Sequence, residues 1–410
     1  MKTFISYVKI ITLSLLMIVM SSMTFAQSKK ITIISQIKST SVPRWHSAYY
    51  TSFDGLSLRS KNYVSFDNGK SWQNKVMSFD NGNVNSQNSR RSHVTSLFLN
   101  KENRIVHFIN TLDLKNIGLR KMGELPEGIS NYYIRYYLSD PLSRNYIADI
   151  PIKENGKNDG QPFSGIRIGI NAYYLGDIGC QPIESNNGKI LLPVQQSILK
   201  NGKLYNPGGT TTFTGARVLI GTMKSSGKEI SWKASNLIEI SPTKSTRGLI
   251  EPTIIELESG KLLMVMRGSN GGKLDRSFSI PGYKWYSIST DGGYNWSSPK
   301  ELRFDDGSEL FSPSSMSRLF KRSNGKIYWI GNISSENPKG NNPRNVLAIG
   351  EVDPYTYRIK KNSLVVLDSQ KEGVELSHFA VLEDRANKNI VISYPLVENK
   401  KQEWKVIRLK

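Results

Sequence analysis

The residues best placed to do chemistry lie at the two ends of one hairpin. In the run from Ser245 to Gly268 a glutamate, Glu251, opens the first apolar stretch and an arginine, Arg267, closes the second, with Ser259-Gly260-Lys261 as the turn between them. In an antiparallel hairpin turning near Gly260 the far ends of both strands lie side by side, so Glu251 and Arg267 can face one cavity. A carboxylate there can act as general base or charge partner, and the planar arginine fork holds a ligand carboxylate at two points, which lysine cannot. The same spacing also fits a plain cross-strand ion pair at a sheet edge. His378 can serve as acid or base near neutral pH, although a lone histidine is more often structural. Asp275-Arg276 lies in a glycine-flanked loop beside Asn270-Gly271-Gly272, where Asp275 reads either as an acid or, more commonly, as a solvated surface carboxylate. The four histidines form no HExxH pair, and there is no CxxC, no GxGxxG opening a helix and no P-loop, so neither zinc nor a cofactor is expected. Asp305-Asp306-Gly307 is an acidic turn whose spacing is insufficient to claim calcium.

Strands must position these groups. Short runs rich in Ile, Val, Tyr and Leu are bounded by Gly, Asn, Asp, Ser and Pro clusters, and no long helical stripe stands out, so the chain reads as almost wholly β. One hairpin recurs at Asn187-Gly188-Lys189, Ser259-Gly260-Lys261 and Asn324-Gly325-Lys326, each followed by an apolar strand, with glycines 72 and 65 residues apart. Asn and Gly tolerate positive φ, which predicts tight two-residue turns. Weaker copies at Asn103-Arg104 and Lys388-Asn389, with Asp54-Gly55 as a first member, bring the series to about six units, as a propeller of four-stranded blades requires.

A second motif is sharper. Ser65-Phe66-Asp67-Asn68-Gly69-Lys70-Ser71-Trp72 and Ser289-Thr290-Asp291-Gly292-Gly293-Tyr294-Asn295-Trp296 both read Ser-x-Asp-x-Gly-x-x-Trp, with a degenerate copy at Ser78 to Gly82. The aspartate can accept backbone amides, the glycine can take a left-handed conformation, and the tryptophan can staple the turn to its sheet. These motifs resemble the Asp boxes of the sialidase-like propeller superfamily, which are structural and mark a fold rather than an activity. The resemblance implies an all-β, six-bladed β-propeller of four-stranded antiparallel blades, and over residues 180 to 395 it extends to a bacterial branch named exo-α-sialidase by similarity.

Carried onto this chain, the resemblance gives Glu251 and Arg267 the places of a catalytic glutamate and a carboxylate-binding arginine, with Arg247 in the same segment. Arg344, in Pro343-Arg344-Asn345-Val346, matches the family's next arginine. The first family arginine lies in an Arg-Ile-Pro motif, for which Val42-Pro43-Arg44-Trp45 offers Arg44 by position, with Arg91 as fallback. Asp54 is the positional candidate for the acid/base. The family's tyrosine nucleophile should fall in Glu375-Leu376-Ser377-His378, where Leu376 stands instead. Leucine cannot be a nucleophile, which leaves His378 beside it or a tyrosine such as Tyr394 to supply the chemistry.

Bulk properties frame the partner. Lys2 and Lys9, an apolar stretch from Ile10 to Met20 and Thr24-Phe25-Ala26 read as a cleaved export signal over residues 1–26, leaving 27–410 as one propeller domain in the periplasm or outside the cell. No run is long enough for a transmembrane helix. The formal charge is +21, or +19 without residues 1–26, which suits an anionic partner. Export turns that toward acidic carbohydrate and away from nucleic acid, and the chain is expected to be a monomer. Cys180 is the only cysteine, so stability must come from a core. The expected activity is hydrolysis of a terminal acidic sugar, sialic acid being the family default. The alternatives are a propeller polysaccharide lyase with His46, His93 or His378 as base, and a glycan-binding propeller without turnover.

Overall fold

Alternating apolar runs and turn clusters fold as they must: among the described residues every regular element longer than one turn is a strand paired antiparallel. Among the described residues there is no α-helix, only a 3-10 turn at Lys361–Ser363. The structure is a computed structural model, and it describes residues 31–39, 49–50, 58–60, 63–65, 73–74, 89–114, 129–139, 146–152, 173–176, 180–201, 203–209, 213–399 and 401–410. Arg44, His46, Asp54, the first Asp box beyond Ser65 and the export segment lie outside these. So do the side chains of Arg91 and His93, whose backbone runs in the strand Ser89–Leu99.

Six sheets follow one another along the chain, joined by a small ribbon at Leu199–Lys200 and Lys203–Leu204. The first runs from Tyr49 to Asn74 and the second from Ser89 to Pro151. The third is built on Ile190–Ser197, Thr214–Met223 and Ile230–Ala234, with Tyr173–Tyr174 and Ile183–Glu184 sharing its inner edge. The fourth contains Ile250–Glu256, Leu262–Arg267, Lys284–Ser289 and Lys300–Glu301. The fifth contains Ser317–Lys321, Ile327–Asn332, Val346–Glu351 and Val365–Ser369. In the sixth, Glu375–Leu376 and Ala380–Glu383 lie on Ile390–Glu398, followed by Lys401–Leu409, onto which the N-terminal strand Ile33–Ser39 is added antiparallel. Joining the first strand of Thr32–Lys410 to its last removes two open edges at once. This meander of four-stranded antiparallel sheets is the β-propeller expected, and the six sheets are consistent with six blades.

A blade buries both faces against its neighbours. Phe108, Tyr136, Leu192 and Trp232 fill the space between the second and third sheets, Val218, Met264, Met266 and Trp285 that between the third and fourth, and Leu263, Val265, Trp329 and Ile359 that between the fourth and fifth. At the recurring hairpins, the amide of each glycine donates to the carbonyl three residues earlier: Gly188 to Ser185, Gly260 to Leu257 and Gly325 to Arg322. The turns are therefore three-residue loops with positive φ only at the glycine, rather than the two-residue turns expected. A type I turn followed by one left-handed residue needs glycine once, which is why the residue before it varies. Asn103 and Lys388 take the positive φ in the weaker copies.

The Asp box at Ser289–Trp296 matches its chemistry. Asp291 Oδ1 accepts the amides of Tyr294 at 3.1 Å and Asn295 at 3.0 Å and the Ser289 hydroxyl at 2.8 Å. Gly292 and Gly293 have φ of 79° and 96°, and the buried Trp296 indole donates to Gly293 O at 2.9 Å. Burial raises the Asp291 carboxyl, but the Asn295 and Tyr294 amides and the Asn295 and Ser289 side chains outweigh it and hold the group below its ordinary range.

Candidate functional site

The end of the fourth sheet opposite its Gly260 turn is irregular. Ile250 pairs with Arg267, but the register shifts before Thr253, and Glu251 within that bulge has φ of +48°, a conformation a glutamate rarely takes. The bulge turns the Glu251 side chain toward the end of the neighbouring strand. Arg267 Nη1 donates to Glu251 Oε1 at 2.6 Å, and the two side chains are each 9% exposed. The Glu251 amide donates to Gln195 Oε1 at 2.8 Å, tying the bulge to the third sheet. Gly176 packs so closely on Glu251 and Gln195 that a side chain there would collide with both. Glu251 Oε2 is buried and makes no hydrogen bond among the described residues.

Arg267 is held on every side. Its Nε donates to Ser314 Oγ at 2.9 Å and its Nη2 to Asn341 Oδ1 at 3.2 Å. Arg344 reaches the same serine from the fifth sheet, with Nη2 donating to the Ser314 carbonyl at 2.6 Å and Nη1 3.8 Å from Glu375 Oε2. Ser314 thus holds two guanidinium groups, one through its hydroxyl and one through its backbone. Beneath them Lys284, opposite Arg267 in register, is fully buried and donates to Pro313 O at 2.7 Å and Ser315 O at 2.8 Å. Burial first, and then the charges of Arg267 and Arg344, drive the Lys284 ammonium well below its ordinary value, against the opposing pull of Glu251.

The structure therefore brings together Glu251, Arg267 and Arg344 from two sheets. The pair Glu251–Arg267 is a cross-strand ion pair, but a buried one rather than an edge contact. Leu376 sits beside this group: its amide donates to Arg344 O at 2.8 Å, while its side chain is fully buried. His378, two residues on, is exposed with φ of +58°. Arg247 is half-buried, and its carbonyl accepts the Thr214 amide at 3.1 Å.

Two expectations are corrected. Tyr394 does not reach Glu251; it is fully buried in the sixth sheet and its hydroxyl donates to Asp368 Oδ2 at 2.6 Å, where burial and that carboxylate push its pKa up. Asp275 is not a solvated surface group: it is 3% exposed, and its carboxylate accepts the amides of Gly271, Ser279 and Ile280 and the Ser279 hydroxyl. Burial raises its pKa, but the Gly271 and Ser279 amides, the Ser279 hydroxyl and the Ile280 amide together lower it, which suits a loop staple and not an acid. In the acidic turn, Asp306 pairs with Lys361 at 2.7 Å and Asp305 accepts the Lys361 amide at 3.0 Å, so these carboxylates serve the fold.

Sequence reading missed Lys284, Ser314, Asn341 and Gln195. Lys284 left a trace, as the one charged residue in the strand Lys284–Ser289, set between Tyr283 and Trp285. Ser314 lies in a serine-rich run that offers no sign of which hydroxyl matters, and Asn341 and Gln195 arrive from other sheets.

Comparison with known proteins agrees with this architecture. A protein of unknown function from Dyadobacter fermentans superposes with a TM-score of 0.57 at 12% identity, covering 93% of this chain and 99% of that one. The NanB sialidase of Streptococcus pneumoniae superposes with a TM-score of 0.54 at 14% identity, over 93% of this chain and 71% of that one. The Trypanosoma rangeli sialidase gives 0.50 at 13% identity over 87% of this chain, which spans half of that larger protein. At such identities the likeness is one of fold. No match is found among curated proteins. The family model of the BNR repeat-like domain matches residues 157–402, more than half of the sequence and all of the cluster around Glu251, and the chain belongs to that family.

Proposed function

We propose that this protein is an exported glycoside hydrolase that removes a terminal acidic sugar from glycans, with sialic acid as the first substrate to test. One observation carries the reading: Arg267 and Arg344 converge on Ser314 beside a glutamate whose second oxygen is buried without a partner among the described residues. Two guanidinium groups fixed this closely suit a ligand carboxylate, and an unsatisfied buried carboxylate oxygen suits a substrate proton or hydroxyl. Glu251 is the proposed general base or charge partner, and Arg267 and Arg344 the carboxylate clamp, with Arg44 and Arg247 completing it. Asp54 and His378 are the candidates for proton transfer. That two fold relatives are sialidases by name supports the class. Residues 1–26 direct the chain to the periplasm or beyond, and the high positive charge favours an acidic glycan as partner.

A second reading, glycan binding without turnover, has its own support. Leu376, at the position the family resemblance gives to a nucleophile, is buried, and Tyr394 is committed to Asp368. Hydrolysis of a fluorogenic sialoside by the mature protein decides between them. Turnover that disappears in Glu251→Gln and Arg267→Ala supports hydrolysis. Binding of sialic acid with no turnover supports the second reading, and neither binding nor turnover rejects sialic acid.

A further inference from the structure

We propose that Lys284 is a positioning residue: by holding the carbonyls on either side of Ser314 it sets the spacing of the Arg267 and Arg344 guanidinium groups. As a statement about a carboxylate clamp, this rests on the function proposed above. The geometry itself does not.

Ser314 is the only residue that touches both arginines among the described hydrogen bonds, and it sits in a connection between sheets, where nothing in a ladder fixes it. What fixes it is the Lys284 Nζ, which takes Pro313 O at 2.7 Å and Ser315 O at 2.8 Å. The Ser314 amide donates onward to Gly340 O at 2.8 Å, in the loop that carries Asn341 and Arg344. A lysine side chain spans from the third strand of the fourth sheet to this connection with no solvent contact. One side chain thus holds the backbone carbonyls on both sides of Ser314, through two of the N–H groups at its tip. The charged groups facing it are Arg267 and Glu251 from the fourth sheet and Arg344 from the fifth.

The test reads the clamp first without any sugar. In wild-type protein the Arg267 Nε–H, bonded to Ser314 Oγ, should give a side-chain NMR resonance protected from solvent exchange. Lys284→Met keeps the stem and removes the donor; it should speed that exchange by about tenfold or more. Lys284→Gln, which can reach one carbonyl, provides a milder variant if the first folds poorly and should give an intermediate rate. Wild-type exchange in either folded variant overturns the proposal. The second arm measures binding of N-acetylneuraminic acid and its methyl ester. Lys284→Met should weaken the acid by about tenfold and leave the ester unchanged. Wild-type protein that binds acid and ester alike rejects the carboxylate clamp, while the exchange arm still decides the role of Lys284 in holding Ser314.

Discussion

The two ends of the sheets are built by different rules. At the hairpin end the structure repeats: the Asn100 amide donates to Glu184 at 3.0 Å, the Asn186 amide to Glu256 at 2.7 Å and the Ser323 amide to Glu383 at 2.7 Å. In each case a turn of one sheet is latched to a glutamate on the inner strand of a following sheet. Among the described residues the polarity is reversed between the fourth and fifth sheets, where Lys321 on a strand of the fifth donates to Glu256 O of the fourth at 3.0 Å. At the other end of the fourth sheet the contacts are unlike one another. Glu251 is in a bulge with positive φ, Arg267 has three different acceptors, and a fully buried lysine lies beneath. A repeat can carry a fold through many weak, similar contacts, whereas a site concentrates cost in a few unlike ones.

The comparison is broken most directly at Arg267. Arg267→Met strands a buried carboxylate and should cost about 3–5 kcal/mol of unfolding free energy. Glu251→Leu combined with Arg267→Met should cost less than that single change, because no uncompensated charge is left. Denaturant titration of the wild type, both single variants and the double variant gives these numbers, and an additive double variant would mean the pair is not a unit.

The Asp box tests the repeating side of the fold. Asp291→Ala removes acceptors for two backbone amides and two side chains and should cost about 1–2 kcal/mol. The pH dependence has a definite sign. The folded carboxyl lies below its unfolded value near 4, so its contribution is present above that value and lost as pH falls through the folded one. The alanine variant should therefore lose less stability than wild type between pH 5 and acid. A parallel fall in both would remove Asp291 from the account.

What the sequence made legible follows the same division. Asp291, Trp296 and the glycines at 188, 260 and 325 act within a few residues of themselves, so their spacing states their role. Glu251 and Arg267 were legible because one hairpin joins them. Ser314, Asn341 and Gln195 act across sheets, and no local pattern says which serine or amide will arrive. Asp275 misled because a glycine-flanked loop looks solvated, whereas its carboxylate is the centre that four donors fold around. Leu376 shows the limit of likeness: its backbone is bonded to Arg344, and its side chain carries no chemistry.

The latches set the smallest effects. Glu256→Gln keeps an acceptor for the Asn186 amide and removes the charge, so a loss of about 0.5–1 kcal/mol is expected, falling with added salt because the group is partly exposed. The two turn glycines flanking the reversed latch then separate backbone strain from crowding. Gly260→Ala meets no atom within 4 Å and pays only for a φ of 77°, about 1 kcal/mol. Gly325→Ala has a φ of 82° and also runs into the Glu258 carboxylate. Glu258 is an exposed residue on a turn, so it can swing aside, and the excess over Gly260→Ala should be a few tenths of a kcal/mol. Adding Glu258→Ala to Gly325→Ala should abolish that excess. If it persists with Glu258 gone, the excess does not come from that carboxylate, and the cost lies in the Gly325 turn itself.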